Sequence, residues 1–259
     1  MKLSQKMIKA GWVVNRHRDG SFTVFGSRMQ EYHYDSNTER WSVDLSVIES
    51  SLEQDLAEDS PVERSPWKSP YVISSRLTAL NHTRQISQPV RYLCQEGLVS
   101  DKTVLHLGTG MDRFAREALI KAGCRDVADY DPNFFPDTSV LDNQYDIVMA
   151  HYVLNILPPA ERRQVYRLIG NTLLEGGRAY LTVQGIWPVE HKYEIIRPQE
   201  DGYLIKTGYN TTFRKGYSSE DLLKEIHSEL GGTAGLMTTF YSNTMAFWKK
   251  SMPNSIHDK

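Results

Sequence analysis

At 259 residues, with 30 Lys and Arg against 32 Asp and Glu, the chain carries a formal net charge of −2, a balance that gives no sign of nucleic-acid binding through bulk charge and leaves any such contact to local patches. Only two cysteines, Cys94 and Cys124, are present, which excludes a disulfide-stapled scaffold and reads as reduced thiols. No apolar run approaches a signal peptide or a membrane span, so the expectation is a soluble, cytoplasmic protein with room for one α/β domain and an appendage.

Residues 11–47 read as β-rich. Trp12-Val13-Val14 and Phe22-Thr23-Val24-Phe25 flank a turn at Arg18-Asp19-Gly20-Ser21, and Tyr32, Tyr34 and Trp41-Ser42-Val43 add further strand signal. The aromatics there read as the core of a small sheet rather than as a base-stacking platform. Acids crowd from Glu49 to Glu63, and Pro61, Pro66 and Pro70 then interrupt any regular element. The domains predicted are therefore a β-rich accessory region over 1–60, a linker over 61–75, a core over 76–250 and a tail over 251–259. Ser87 is placed to cap a helix with Pro89 in its first turn and Val90, Leu93, Cys94 and Leu98 on one face.

The stretch from Thr103 to Pro132 says most. Val104, Leu105 and Leu107 form a short apolar strand, Gly108-Thr109-Gly110 follows at once, and Phe114, Ala118, Leu119 and Ala122 have helical spacing that Gly123 closes. Val127-Ala128 then lead to Asp131, about 20 residues past the turn, the offset at which a carboxylate meets a ribose in nucleotide-binding folds. Glycines let backbone amides approach a ligand, and a helix N-terminus adds positive potential. The third glycine that packs a helix under a pyrophosphate is missing, because Met111, Asp112 and Arg113 follow the turn. An acid beside the turn repels a diphosphate but suits a cofactor bearing an ammonium group, which favours S-adenosylmethionine.

Tyr145 to Ala150 is another strand, with His151 and Tyr152 at its end. Pro158-Pro159 start a helix with Val165, Leu168, Ile169 and Thr172 on one stripe, and Gly176-Gly177 is read as its end. Ala179 to Val183 is a strand, 184–217 a long insertion placed to cover substrate, Ser218-Ser219-Glu220-Asp221 a helix cap, and Phe240 to Trp248 a hairpin turning at Ser242-Asn243. No Cys/His or Asp/Glu group has metal-ligand spacing, so no metal is expected.

The ordered series Leu105-His106-Leu107-Gly108-Thr109-Gly110, Asp131 and Tyr145 to Leu154 resembles the successive motifs of class I S-adenosylmethionine-dependent methyltransferases. Arg84 to Arg91, Tyr152 to Ile156 and Thr212 to Ser218 further resemble the methyltransferases associated with DNA phosphorothioation, over about Arg76 to Trp248. The resemblance implies a Rossmann-like α/β fold with a mostly parallel seven-stranded sheet and a C-terminal antiparallel hairpin, and it leaves the small β-rich N-terminal accessory region unexplained. It implies cofactor contacts from His106, Gly108, Thr109, Gly110, Asp131, Pro132, Ala150 and His151, with His151 against the methionine part and Tyr152 beside the transferring methyl. Arg84, Arg214 and Lys215 are the substrate candidates, for DNA or a related acceptor in a bacterial or phage modification or defence setting. Two motifs are absent. No Asp/Asn/Ser-Pro-Pro-Tyr/Phe follows the strand ending at Ala150, and neither cysteine follows a proline, so familiar base methylation is not supported. A non-catalytic scaffold and a small-molecule methyltransferase remain the alternatives.

Overall fold

In a computed structural model of the chain, the residues described are 3, 6, 7, 13–17, 19–25, 31–57, 69–75, 78, 79, 86–112, 114–207 and 210–252. Arg84, Trp12, and the prolines at 61 and 66 lie outside them. Two compact units are present, one made of 1–78 with 193–213 and the other of 79–192 with 214–259.

The first unit begins with β1 (Val13–Arg16), β2 (Phe22–Phe25), β3 (Glu31–Asp35) and β4 (Arg40–Trp41), an antiparallel meander in that order. Gly20 takes φ 86° in the first turn, where the Asp19 carboxylate accepts from the Ser21 amide and hydroxyl. Strand alternation sets Phe22, Val24, Tyr32, Tyr34 and Trp41 on one face. Helix α1 (Leu45–Ala57) covers it with Ile48 and Leu52, and the Tyr32 hydroxyl donates to Ser51. Phe22 stacks on Tyr34 with ring centroids 4.6 Å apart. Helix α2 (Pro70–Ser75) follows.

The second unit holds the large sheet. Helix α3 (Gln88–Gln95) starts after Ser87, β5 is Thr103–Leu107, α4 Ala115–Lys121, β6 Asp126–Tyr130, β7 Tyr145–His151, α5 Pro159–Thr172, β8 Leu173–Gln184 and α6 Ile186–Lys192. The chain then forms β9 (Glu194–Gln199), β10 (Gly202–Thr207) and β11 (Asn210–Arg214), a sheet ordered β11-β10-β9 in which β9 and β10 run antiparallel. It closes with α7 (Ser219–Leu230), β12 (Thr233–Phe240) and β13 (Asn243–Lys249). The sheet order is β12-β13-β8-β7-β5-β6, with β6, β5, β7 and β8 parallel and β13 antiparallel to both neighbours. Such order places the carboxyl ends of β5 and β7 side by side at the point where the chain changes direction across the sheet, the usual ligand position in this architecture.

Four expectations are corrected. The described sheet has six strands rather than seven, because the chain between β6 and β7 is taken up by an Asp131–Phe135 bridge and a 3-10 turn over Thr138–Asp142. Gly176-Gly177 does not end a helix: α5 stops at Thr172, and both glycines lie within β8, Gly176 at φ 76° where the pairing with β7 shifts register. Ser87 occupies the N-cap position of α3 without a side-chain cap bond, and its backbone amide donates to Asp112 Oδ2 at 3.1 Å. The stretch 184–217, expected as a long insertion, holds regular elements: α6, β9, β10 and β11. Among the described residues no helix is long and apolar enough to cross a membrane.

Candidate ligand site at the glycine turn

Strand β5 is buried from Val104 to Leu107, and its chain direction delivers Gly108 to the carboxyl edge of the sheet. Gly108 (φ 74°) and Gly110 (φ 59°) are both in the left-handed region that a side chain disfavours. Gly108 has a second reason to be glycine, since a Cβ there would collide with Val153 Cγ2 just past β7. The turn is braced against the end of β6: Gly108 N donates to Tyr130 O at 2.7 Å, and Gly110 N donates to Asp131 Oδ2 at 2.9 Å. Asp131 Oδ1 accepts from the Asn133 and Phe134 amides at 2.8 and 3.2 Å, forming a tight turn around half-buried Pro132. Burial raises the Asp131 carboxyl above its ordinary range, opposed by those three amides and His106. The helix expected directly after the turn begins only at Ala115, and its seven residues leave the glycines outside its first turn.

Two histidines meet across the sheet. His106 on β5 and His151 on β7 are 3% and 7% exposed, with ring centroids 6.1 Å apart. His151 Nδ1 lies 3.0 Å from Thr182 Oγ1, while its buried Nε2 has no hydrogen-bond partner. His106 Nδ1 is likewise without one and lies 3.7 Å from Asp129 Oδ1. Burial pushes His151 well below the usual imidazole range, with His106 adding to the effect. Burial also lowers His106, against the pull of Asp129, Asp112 and Asp131. Of these acids Asp129 lies in measured reach of the imidazole, 3.7 Å away, while Asp131 holds the turn through the Gly110 amide. Thr109 Oγ1 shares its proton between His106 O at 2.8 Å and Asp129 Oδ1 at 3.2 Å, and the exposed Arg116 lies 3.7 Å from Asp129.

Ala150 is fully buried at the end of β7, and Tyr152, two residues on, has φ 61° without being glycine. Strain of this kind costs on the order of 1 kcal/mol or more and persists where neighbours over-determine it. Here the Tyr152 amide donates to Thr182 O at 2.7 Å, and Asn243 Nδ2 donates to the Tyr152 hydroxyl at 3.4 Å. Burial raises the phenol, opposed by Asn243.

The structure thus brings together His106, Gly108, Thr109, Gly110, Asp131, Pro132, Ala150, His151 and Tyr152. It does not bring Arg214 and Lys215 to that group as free cations. Arg214 is 8% exposed and reaches Asn155, whose amide, oriented to satisfy both neighbours, lies 3.3 Å from Arg214 Nη1 and 3.3 Å from Tyr152 O. Lys215 Nζ donates to Glu225 Oε2 at 2.9 Å and sits 4.3 Å over the Tyr217 ring. Glu225 also takes Arg162 Nε at 2.8 Å, the Tyr217 hydroxyl at 3.1 Å and the Tyr166 hydroxyl at 3.3 Å. The pair expected to meet substrate is thus tied into internal contacts, because a basic dipeptide in sequence shows nothing of its tertiary acid. Asp129, Asn155, Thr182 and Asn243 were missed, and only Asn155, within the run after β7, lay near a motif that could have signalled it. Among the described residues no three His, Cys, Asp or Glu side chains are grouped to hold a metal ion.

No family model matches the sequence, and no curated protein matches it. Solved structures are similar in layout. One is an S-adenosylmethionine-dependent methyltransferase from Clostridium acetobutylicum, 10% identical, covering 80% of this chain and 99% of its own, with a TM-score of 0.43. A second is DhpI in complex with SAH, 15% identical over 82% of this chain and 100% of its own, TM-score 0.42. A third, from Rhodobacter sphaeroides and named as a Zn-dependent alcohol dehydrogenase, is 13% identical over 70% and 98%, TM-score 0.49. Likeness at this level carries no conclusion about activity, which rests on the site.

Proposed function

We propose that the protein is an S-adenosylmethionine-dependent methyltransferase. The observation that carries this reading is an acid-rich two-glycine turn: Gly110 N donates to Asp131 Oδ2, Asp129 lies 3.7 Å from the buried His106, and Asp112 follows Gly110 by two residues. Three carboxylates at the phosphate position of a nucleotide fold disfavour a diphosphate by like-charge repulsion and favour a nucleoside bearing positive charge. The orphaned nitrogens of His106 and His151 fit a ligand with polar groups between the ends of β5 and β7.

Asp131 is the carboxylate for the ribose hydroxyls, Gly108 and Gly110 permit close backbone approach, and Pro132 and Ala150 shape the adenosine side. The cofactor supplies a methyl group already activated on sulfur, which leaves orientation and proton removal to the chain. His151, neutral at physiological pH, faces the amino-acid side, and Tyr152, fixed by its backbone and by Asn243, orients the acceptor. For the acceptor, the phosphorothioation resemblance supports DNA or a nucleic-acid-related molecule. Arg214 and Lys215 are held internally, so contact with phosphates falls to other cations, Arg84 among the sequence candidates.

Calorimetry with S-adenosylhomocysteine tests the cofactor, and methyl-labelled S-adenosylmethionine offered with DNA, RNA, protein and small-molecule pools tests the transfer. Saturable binding, weakened at least about tenfold in Asp131→Ala, is the result expected from the loss of a charged hydrogen-bond acceptor. Absence of heat with the parent protein overturns the proposal. Binding without label transfer to any pool supports a scaffold instead.

A further inference from the structure

Strands β7 and β8 run side by side, and their pairing sets His151 directly opposite Thr182. Both side chains are enclosed, Thr182 at 0% and His151 at 7% exposure, and they meet through His151 Nδ1 and Thr182 Oγ1, 3.0 Å apart. Among the described residues the Thr182 hydroxyl has no other partner, and the buried His151 Nε2 has no partner. The number of protons available decides the tautomer. The hydroxyl carries one, and the imidazole, kept neutral by burial, carries one. With the ring proton on Nδ1 and donated to Thr182, the hydroxyl proton and the Nε2 lone pair are both left buried and unmet. With the hydroxyl donating to Nδ1, one group is left unmet, the N–H on Nε2. A buried polar group without a partner weighs against an arrangement by about fivefold or more, so the second prevails.

Resting on the methyltransferase reading for the identity of the ligand, we infer that Thr182 is a positioning residue that fixes the His151 proton on Nε2, so that His151 donates a hydrogen bond to an oxygen of the bound ligand and takes no proton from the methyl acceptor. The two ring nitrogens point to different sides of the imidazole. Nδ1 faces β8, so Nε2 is turned away from it, and β5 flanks β7 on that side with the His106 ring 6.1 Å off. His106 does not satisfy the N–H, since its own Nδ1 is also without a hydrogen-bond partner. The ligand atom that meets His151 is then an acceptor, and an ammonium is excluded there, because two donors do not pair. Removal of a proton during transfer falls to a group other than His151.

Magnetic resonance of the full chain with isotope-labelled histidine nitrogens tests this at about pH 8, where the ring is neutral, because the two tautomers and the charged imidazole give different patterns of nitrogen-to-carbon-bound-proton correlations. The His151 signals are those that vanish in His151→Gln. Without ligand, the parent protein shows the Nε2–H tautomer. Thr182→Ser keeps the hydroxyl and shows the same tautomer, whereas Thr182→Val removes it and moves the ratio toward Nδ1–H by about fivefold or more. An Nδ1–H tautomer in the parent protein overturns the assignment even if neither variant folds, and an unchanged ratio in Thr182→Val overturns the role of Thr182. Saturating S-adenosylhomocysteine shifts the Nε2–H proton signal of the parent protein downfield. Binding seen by calorimetry with that signal unmoved overturns the donor role. If S-adenosylhomocysteine does not bind, the methyltransferase reading has failed, while the tautomer is still decided by the ligand-free spectra.

Discussion

At the scale of single residues, the buried imidazoles set the response to acid. His106 and His151 both titrate below the ordinary value of 6.5 in the folded chain, and the unfolded chain takes up protons near that value that the folded site refuses. Stability from this pair is therefore complete above pH 6.5 and is lost as the pH falls below it. Thermal melts taken between about pH 8 and pH 5 should show that loss, and His151→Gln should flatten the profile on its acid side. An unchanged slope in the variant would place the titration elsewhere. Asp131 has the opposite sign. Its raised carboxyl contributes most when protonated, and that contribution is lost as pH rises through its folded value.

Elements show how local and tertiary forces divide the work. Helix α7 carries its own start signal, a reciprocal capping box in which Ser218 Oγ accepts from the Asp221 amide at 3.0 Å and the Ser218 amide donates to Asp221 Oδ2 at 3.3 Å. Ser218→Ala should cost about 1 kcal/mol, visible as a small drop in melting temperature with ligand affinity unchanged. The same helix also delivers Glu225 to Arg162 and Lys215, whose side chains are 5% and 14% exposed. Glu225→Gln removes the carboxylate shared by two enclosed cations and two buried hydroxyls and should destabilise by about 2 kcal/mol or more in denaturant titration, well beyond the cap variant. The cap was legible in the sequence because four adjacent residues build it. So were the glycine turn, the strand to His151 and the closing hairpin, each marked by a local pattern. Gly176-Gly177 misled because pairing with β7 outweighs the helix-stop signal. The acids around His106 were only partly legible, since β6 had to be placed beside β5 before Asp129 could be seen facing it.

At the scale of the whole molecule, the middle of the large sheet is fully enclosed at Val104, Leu105, Val148, Met149, Ala150, Ala179 and Leu181. Amides of β5, β7 and β8 should accordingly exchange with solvent most slowly, with β12 at the edge of the same sheet faster; uniform rates across all six strands would contradict that ordering. The first unit draws on both ends of a long excursion: Gln199 Nε2 donates to the Tyr71 hydroxyl at 3.3 Å, and the Phe213 ring lies 6.2 Å from that of Tyr71. A ribosome making this chain at about 5–20 residues per second releases Tyr71 long before Phe213 exists. The nascent N-terminal segment must wait on the order of ten seconds, while all four parallel strands emerge, before the pieces that complete its unit can join it.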